Sequence, residues 1–159
     1  MPKYVYLLYA DCDEMKTIAI LDLIVKDHHR LMDYLKDVEN NLGRDFGFLS
    51  NSFNTFQWNL EKHFFVEERA IFTSYNPDEP NKEYNFFSDL MDQHTEILEI
   101  IESLRKKLQK REPFDLNELK KLLVKHKTFE EKSIYPVLDQ EIDECEKRFI
   151  IDRIKDIRL

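Results

Sequence analysis

Glycine and proline are scarce in this chain, with only two glycines and five prolines among its 159 residues. Both residues end or interrupt helices, so their scarcity favours long helices joined by short connections. Apolar residues make up 42% of the chain and charged residues 35%, a mixture typical of amphipathic helices. The length suits one hydrophobic core, and we therefore assign residues 1–159 to a single domain.

Three further absences exclude classes of function. The only two cysteines, Cys12 and Cys145, do not form a C-x-x-C pair, and nothing requires an oxidising compartment. The net charge is −8, and no run of lysine or arginine is long enough to neutralise a nucleic-acid backbone. The longest apolar run, residues 4–10, is too short to span a bilayer. We therefore expect a cytoplasmic protein that binds neither nucleic acid nor a membrane.

Two ten-residue segments share one pattern, H-x-x-[VF]-E-E-[KR]-[AS]-I-[FY]. They are residues 63–72 and 126–135. Residues four apart lie on one face of a helix, so His63 points the same way as Glu67, and His126 the same way as Glu130. One such pair is usually an ordinary pair on a solvated helix face. Two pairs within one repeated pattern, both on apolar stripes, indicate two halves of a metal site.

Apolar residues recur at helical spacing in four long segments. The predicted helices span about residues 15–42, 45–74, 82–110 and 115–136. Ile18 belongs to the first apolar stripe and Met91 to the third. Gly43 is expected to end the first helix in a left-handed conformation, and Pro136 to bend or end the fourth.

The predicted fold is all-α, an up-down-up-down four-helix bundle with an additional C-terminal helix and a short N-terminal tail. Its core spans about residues 12–137, after a capping box at Asp11 and Glu14. The C-terminal helix covers about residues 139–157 and packs across the bundle. Residues 1–10 form the tail, to which we assign no function.

Two more histidines, His28 and His94, lie on the apolar stripes of the first and third helices. Six polar side chains then converge in the core, where they need a cation or a dense hydrogen-bond network. The predicted metal ligands are His28, His63, Glu67, His94, His126 and Glu130. Imidazole and carboxylate suit iron, manganese or zinc. Either one octahedral ion takes all six side chains, or two ions share both glutamates as bridges. The repeat favours two ions, with room for an oxo or hydroxo bridge and an open position.

Three neighbouring side chains are alternative ligands. His29 competes with His28, although its helical phase directs it towards solvent or to a role behind the ligands. Glu68 and Glu131 follow the two central glutamates and are expected at the edge of the site. The Phe and Leu stripes are read as core packing, and both cysteines as unreactive packing residues.

The order H … H-x-x-x-E … H … H-x-x-x-E, over about residues 15–137, resembles the hemerythrin-like (HHE cation-binding) proteins. The resemblance implies two iron ions joined by an oxo or hydroxo bridge, for which zinc or manganese could substitute. His28 and His63 would bind one ion, and His94 and His126 the other. Leu98 stands where the oxygen-carrying members have a further histidine, which argues against reversible oxygen carriage. The four-histidine, two-glutamate set is closer to the nitric-oxide-responsive and iron–sulfur-repair branch.

We therefore expect a non-haem di-iron protein that binds or senses a diatomic, O₂ or NO, as a monomer or homodimer. The alternatives are a di-iron enzyme acting on NO or peroxide, and an iron-sensing or iron-storage protein. No catalytic side chain is predicted, so the sequence leaves enzymatic activity open. A ferritin-like di-iron oxidase is disfavoured, because no histidine here has a glutamate three residues before it.

Overall fold

The chain folds into a helical bundle in a computed structural model, which describes residues 18–74 and 82–158. Four long helices make the bundle: α1 (Ile20–Asn41), α2 (Phe46–Val66), α3 (Lys82–Gln109) and α4 (Asn117–Phe129). Two π-helical turns extend α2 and α4: π1 (Glu67–Phe72) and π2 (Glu130–Ile134). Two shorter helices follow: α5 (Tyr135–Glu141) and α6 (Glu144–Arg158). The predicted all-α, up-down-up-down architecture is confirmed.

The buried apolar residues form two clusters, one towards each end of the bundle. One cluster joins the start of α1, the π-turns, α5 and α6, and it includes Ile24 and Leu90. The other fills the remaining length of the four long helices and includes Leu31 and Ile97. His28 lies between Ile24 and Leu31 on α1, and the other inward histidines occupy the same level on their helices. A polar layer therefore separates two apolar regions.

Several predicted boundaries and core positions need correction. Helix α1 begins at Ile20, so Ile18 precedes the helix and is 61% exposed. Met91 is 48% exposed, because the neighbouring Leu90 takes the inward position on α3. The predicted C-terminal helix is divided at residues 142–143 into α5 and α6. The N-terminal tail, the capping box at residues 11–14, Cys12 and residues 76–81 lie outside the described residues.

The turn between α1 and α2 agrees with the sequence. Gly43 has a φ of +79°, which an L side chain rarely adopts. The N–H of Leu42 donates to the carbonyl of Glu39, and the N–H of Arg44 donates to that of Asn41. This tight connection returns the chain so that α2 packs along α1. None of the described helices is long and apolar enough to cross a membrane.

Asp139 of α5 caps the first turn of α1. Its two carboxylate oxygens accept from the backbone N–H groups of Ile20 and Leu21, both at 2.9 Å. Replacing an N-terminal cap by alanine typically costs about 1 kcal/mol. We expect Asp139→Ala to lower the free energy of unfolding by about 1–2 kcal/mol in urea denaturation. Asp156→Ala, an exposed acidic residue on α6, is the control. Equal losses in both variants would contradict the capping role.

Candidate metal centre

The six predicted ligand side chains lie together in the polar layer of the bundle. All six are between 0% and 3% exposed. They form two groups that share Glu67 and Glu130, one completed by His28 and His63 and the other by His94 and His126. Within each group, one ligand atom from each residue lies within 4.8 Å of the others. We name these groups the first position (His28, His63) and the second position (His94, His126).

Each central glutamate directs one oxygen towards each position. Glu67 places Oε1 at 3.5 Å from Nε2 of His63, and Oε2 at 3.2 Å from Nε2 of His94. Glu130, in the same manner, directs Oε2 to the first position and Oε1 to the second. Its oxygens lie 3.0 Å from Nε2 of His28 and 3.2 Å from Nε2 of His126. Both carboxylates are therefore placed between the two positions, as bridging ligands would be.

The atoms that face one another across this layer lack hydrogen bonds. Among the residues that the structure describes, seven buried side-chain atoms have no hydrogen-bond partner, and all seven belong to these six side chains. They comprise Nε2 of all four histidines, Oε2 of Glu67 and both oxygens of Glu130. Leaving a buried polar atom unsatisfied costs about 1–3 kcal/mol, and more for a charged group. A cation that accepts all these lone pairs removes the cost, so the donor set fits a metal.

The opposite ring nitrogen of each histidine has a partner. Nδ1 of His63 lies 2.9 Å from Oδ2 of Asp27, and Nδ1 of His126 lies 3.0 Å from Oε1 of Gln93. When Nδ1 carries the proton it donates to that oxygen, and Nε2 is left with a lone pair. Metal-binding histidines in proteins are held in this way.

The remaining two histidines are held by carboxylates from the opposite half of the chain. Nδ1 of His28 lies 2.7 Å from Oε1 of Glu131, and Nδ1 of His94 lies 2.8 Å from Oε1 of Glu68. Glu68 and Glu131, which the sequence left as alternative ligands, therefore contact histidine rings in this structure. His29 is exposed on α1.

The two π-turns place consecutive glutamates in the site. Glu67 and Glu68 both direct their carboxylates to inward histidines, although they are adjacent in sequence. A π-turn closes i to i+5 hydrogen bonds and widens the helix locally. It follows α2 and α4 at the same place in the repeated pattern, so each half of the site receives two carboxylates. The apolar periodicity predicted uninterrupted α-helices here, and this prediction is wrong at both π-turns.

The two central carboxyl groups have pKa values that are shifted in opposite directions. Burial raises the pKa of Glu67, but neighbouring histidines, His63 most strongly, together bring it well below its ordinary value. Burial and the charge of Glu67 raise the pKa of Glu130 to about 8. At neutral pH one carboxylate is therefore charged while the other holds a proton, because two carboxylates this close repel each other.

The two histidines of the second position differ in basicity. Burial lowers the pKa of His126 to about 3, so its ring is neutral at neutral pH. Burial also lowers the pKa of His94, but its contact with Glu67 outweighs this effect and the net pKa lies above the ordinary value. A neutral imidazole is the form that binds metal.

Tyr135 adds a hydroxyl group at the edge of the cluster. Its O–H donates to Oε1 of Glu67 at 2.7 Å, and its ring is fully buried. Burial raises the pKa of Tyr135 well above its ordinary value, and the charge of Glu67 acts in the same direction. The phenol therefore keeps its proton. The corresponding residue of the first ten-residue segment is Phe72, and this Phe/Tyr difference is the only sequence signal for the added hydroxyl group.

An aromatic ring fills the space between three of the histidines. Phe64 stacks on His94 with ring centroids 3.9 Å apart and planes 14° apart. It also meets His126 and His63 at centroid distances of 5.5 Å and 5.8 Å. The apolar stripe of α2 predicted only core packing for phenylalanines such as this one, and its specific place beside the site depends on how α2 faces α3.

A helical bundle with a buried histidine and carboxylate cluster in its core defines a metal-binding protein. The hemerythrin HHE cation-binding domain family matches residues 19–138 of the chain. The chain belongs to this family, and the resemblance seen in the sequence is confirmed. No curated protein and no solved structure matches the chain significantly.

Proposed function

We propose that the protein is a non-haem di-iron protein that binds or senses a diatomic, O₂ or NO. The proposal rests on one observation. All seven buried side-chain atoms of the described residues that lack a hydrogen-bond partner converge on two adjacent positions. His28 and His63 would hold one ion, His94 and His126 the other, with Glu67 and Glu130 shared. Iron held by such ligands supplies a redox-active centre that binds O₂ or NO.

The number of side chains at each position supports the binding of a small exogenous molecule. Each position has four side chains, whereas iron in histidine and carboxylate sites commonly takes six ligands. Each ion would therefore have coordination positions left for a small ligand. A pocket of about 140 Å³ lies between α1 and α2, and its lining includes His63, Asp27 and Arg30. Of the six candidate ligands only His63 lines this pocket, and its volume is below the about 300–1,000 Å³ of sites for drug-sized organic molecules.

The chain's own residues orient the site and shield it. Asp27, Gln93, Glu68 and Glu131 fix the four imidazole rings by their Nδ1 contacts. Apolar clusters above and below the layer limit the access of water, which slows the loss of a bound diatomic and tunes the metal.

Metal content and a visible spectrum test the proposal. Protein purified without chelator is expected to contain two irons per chain and to show a charge-transfer absorption band after exposure to air. Anaerobic addition of NO to the reduced protein is expected to give a stable adduct with a changed spectrum. One zinc per chain, or no metal after anaerobic loading with Fe²⁺, would contradict the di-iron proposal.

A di-iron enzyme acting on NO or peroxide is the second candidate, and Tyr135 favours it. The phenol O–H lies 2.7 Å from Oε1 of Glu67. Because its raised pKa keeps it protonated, it would act as a hydrogen-bond donor that stabilises negative charge developing at the centre. Sustained O₂ release from added hydrogen peroxide, reduced at least tenfold in Tyr135→Phe, would support this candidate. A stable NO adduct without turnover of peroxide or NO would reject it.

A further inference from the structure

The two halves of the site are related by the internal repeat, but they are not identical. Each histidine, each central glutamate and each residue that contacts an Nδ1 atom has a counterpart in the other half. Glu68 corresponds to Glu131, and both are carboxylates. Asp27 precedes His28 as Gln93 precedes His94, yet one is an acid and the other an amide. In this set of contacts, charge differs only between Asp27 and Gln93.

This difference separates the two positions electrostatically. At the first position, both histidines contact carboxylates, Glu131 at 2.7 Å and Asp27 at 2.9 Å. At the second position, His94 contacts the carboxylate of Glu68 at 2.8 Å, but His126 contacts the neutral amide oxygen of Gln93 at 3.0 Å. The Asp27 and Gln93 contacts have nearly the same length. The difference therefore lies in the charge of the acceptor.

A charged acceptor strengthens the histidine as a ligand. Hydrogen bonds to an ionised acceptor are about twice as strong as those between neutral groups. A carboxylate that accepts from Nδ1–H raises the basicity of Nε2, the atom that faces the site. His63 is therefore a stronger donor to a cation than His126. Burial acts on both histidines alike, since both are 2% exposed.

We propose that the two positions bind metal with unequal affinity, and that the Asp27/Gln93 difference makes the first position fill before the second. This inference rests on the proposed two-ion function and identifies the residues that set the order of loading. Asp27 and Gln93 are positioning residues, since each acts through a histidine. Changes to such residues behind metal ligands typically alter affinity by 10- to 100-fold.

Two contacts oppose this asymmetry. Arg30 pairs with Oδ1 of Asp27 at 2.7 Å, but its side chain is 51% exposed, so solvent screens the pair and Asp27 keeps its advantage over a neutral amide.

The second opposing contact is made by Tyr135. Its O–H bonds to Oε1 of Glu67, the oxygen that faces His63, and no hydroxyl occupies the corresponding position at Phe72. A hydrogen bond to this oxygen weakens it as a donor to the first position and would favour the second. Glu67 serves both positions, however, so much of its effect is shared. Gln93, in contrast, acts on the second position alone, through His126.

The order in which the two positions fill is tested by measuring how a limiting amount of metal distributes between them. Metal-free protein receives one equivalent of Co²⁺ and is crystallised, and anomalous diffraction then gives the occupancy of each position. Because one equivalent must be divided between two positions, a tenfold difference in affinity gives an occupancy of the first position about threefold that of the second, and we expect this ratio in the wild type. In the isosteric exchange variant D27N/Q93E the order is expected to reverse. Q93E alone is expected to bring the two occupancies close to equal.

Competition titrations in solution provide a second readout. With a chromophoric chelator as competitor, the wild type is expected to show two Co²⁺ affinities about tenfold apart, and Q93E to show a higher affinity for the second ion. The control D33N/Q109E makes the same charge changes at exposed positions of α1 and α3. It is expected to keep the wild-type order and affinities.

The outcomes separate this inference from the proposed function. Equal Co²⁺ occupancy of the two positions in the wild type, or an order that D27N/Q93E leaves unchanged, would overturn the inference alone. A wild type that fills the second position first, with an order that Tyr135→Phe reverses, would also overturn it, because the phenol would then set the order. Failure of the wild type to bind either Co²⁺ or Fe²⁺ would overturn the proposed function as well.

Discussion

The variant E67Q/E130Q is expected to lose bound metal completely while its bundle remains folded. Glutamine has the shape of glutamate but no charge, so the two positions lose the anionic ligands that they share. Four neutral imidazoles split between two positions leave each ion with two strong ligands. Metal analysis after loading with Fe²⁺ and desalting measures the effect. The control Glu61→Gln, on the exposed face of α2, is expected to keep the wild-type metal content.

Without metal, the single variant Glu130→Gln is expected to be at least as stable as the wild type. Glu67 differs, because despite its burial the neighbouring histidines stabilise its charged form and hold its pKa well below the ordinary value. Burial and the neighbouring Glu67 raise the pKa of Glu130 to about 8, which shows that a second negative charge is unfavourable in this layer. Replacing buried charges by neutral groups of similar volume is often neutral or stabilising. Thermal unfolding of both proteins in the presence of a chelator tests this expectation. A lower midpoint for Glu130→Gln would show that the carboxylate of Glu130 stabilises the bundle by itself.

Added metal should distinguish the wild type from E67Q/E130Q. A ligand that binds only the folded state, at a free concentration a hundredfold above its Kd, stabilises by about 2.7 kcal/mol. The wild type is expected to gain roughly this amount with Fe²⁺ under anaerobic conditions, and E67Q/E130Q to gain nothing. An equal gain in both would place the stabilising metal outside this cluster.

Phe64→Ala is expected to lower the free energy of unfolding by about 3–5 kcal/mol, the usual cost of removing a buried phenylalanine ring. Phe64 is 2% exposed and stacks on His94. Its removal leaves a cavity beside the second position, and the imidazole of His94 loses the surface that holds it. Urea denaturation of the metal-free protein measures the loss. Affinity for the second metal ion is expected to fall in the same variant.

Phe65, the residue next to Phe64 in the sequence, provides a matched control. Phe65 lies on the same helix but is 51% exposed, so Phe65→Ala should change the free energy of unfolding by less than about 1 kcal/mol. Both variants remove the same atoms from the same helix, and any difference in helix propensity is shared. Equal losses would contradict the role of Phe64 as a packing residue of the site.

Local patterns in the sequence determined the architecture and the set of candidate ligands. A repeat of 3.6 residues fixes which face of each helix is apolar, so His28 and His94 could be assigned to the core without coordinates. The repeated H-x-x-x-E spacing predicted which histidine and glutamate face the same way. The site itself lies where those faces meet, and all six side chains are buried together.

Only the tertiary structure decided which residues support these six. Asp27 meets His63 across 36 positions of sequence, Tyr135 reaches Glu67 across 68, and Asp139 caps Ile20 of α1 across 119. Such contacts depend on the rotation and register with which helices pack, and helical periodicity fixes neither. The π-turns likewise require a local shift in hydrogen bonding that the apolar pattern does not encode. The sequence therefore determined the candidate ligands and the helices that carry them, whereas helix packing decided how each ligand is held and how the two positions differ.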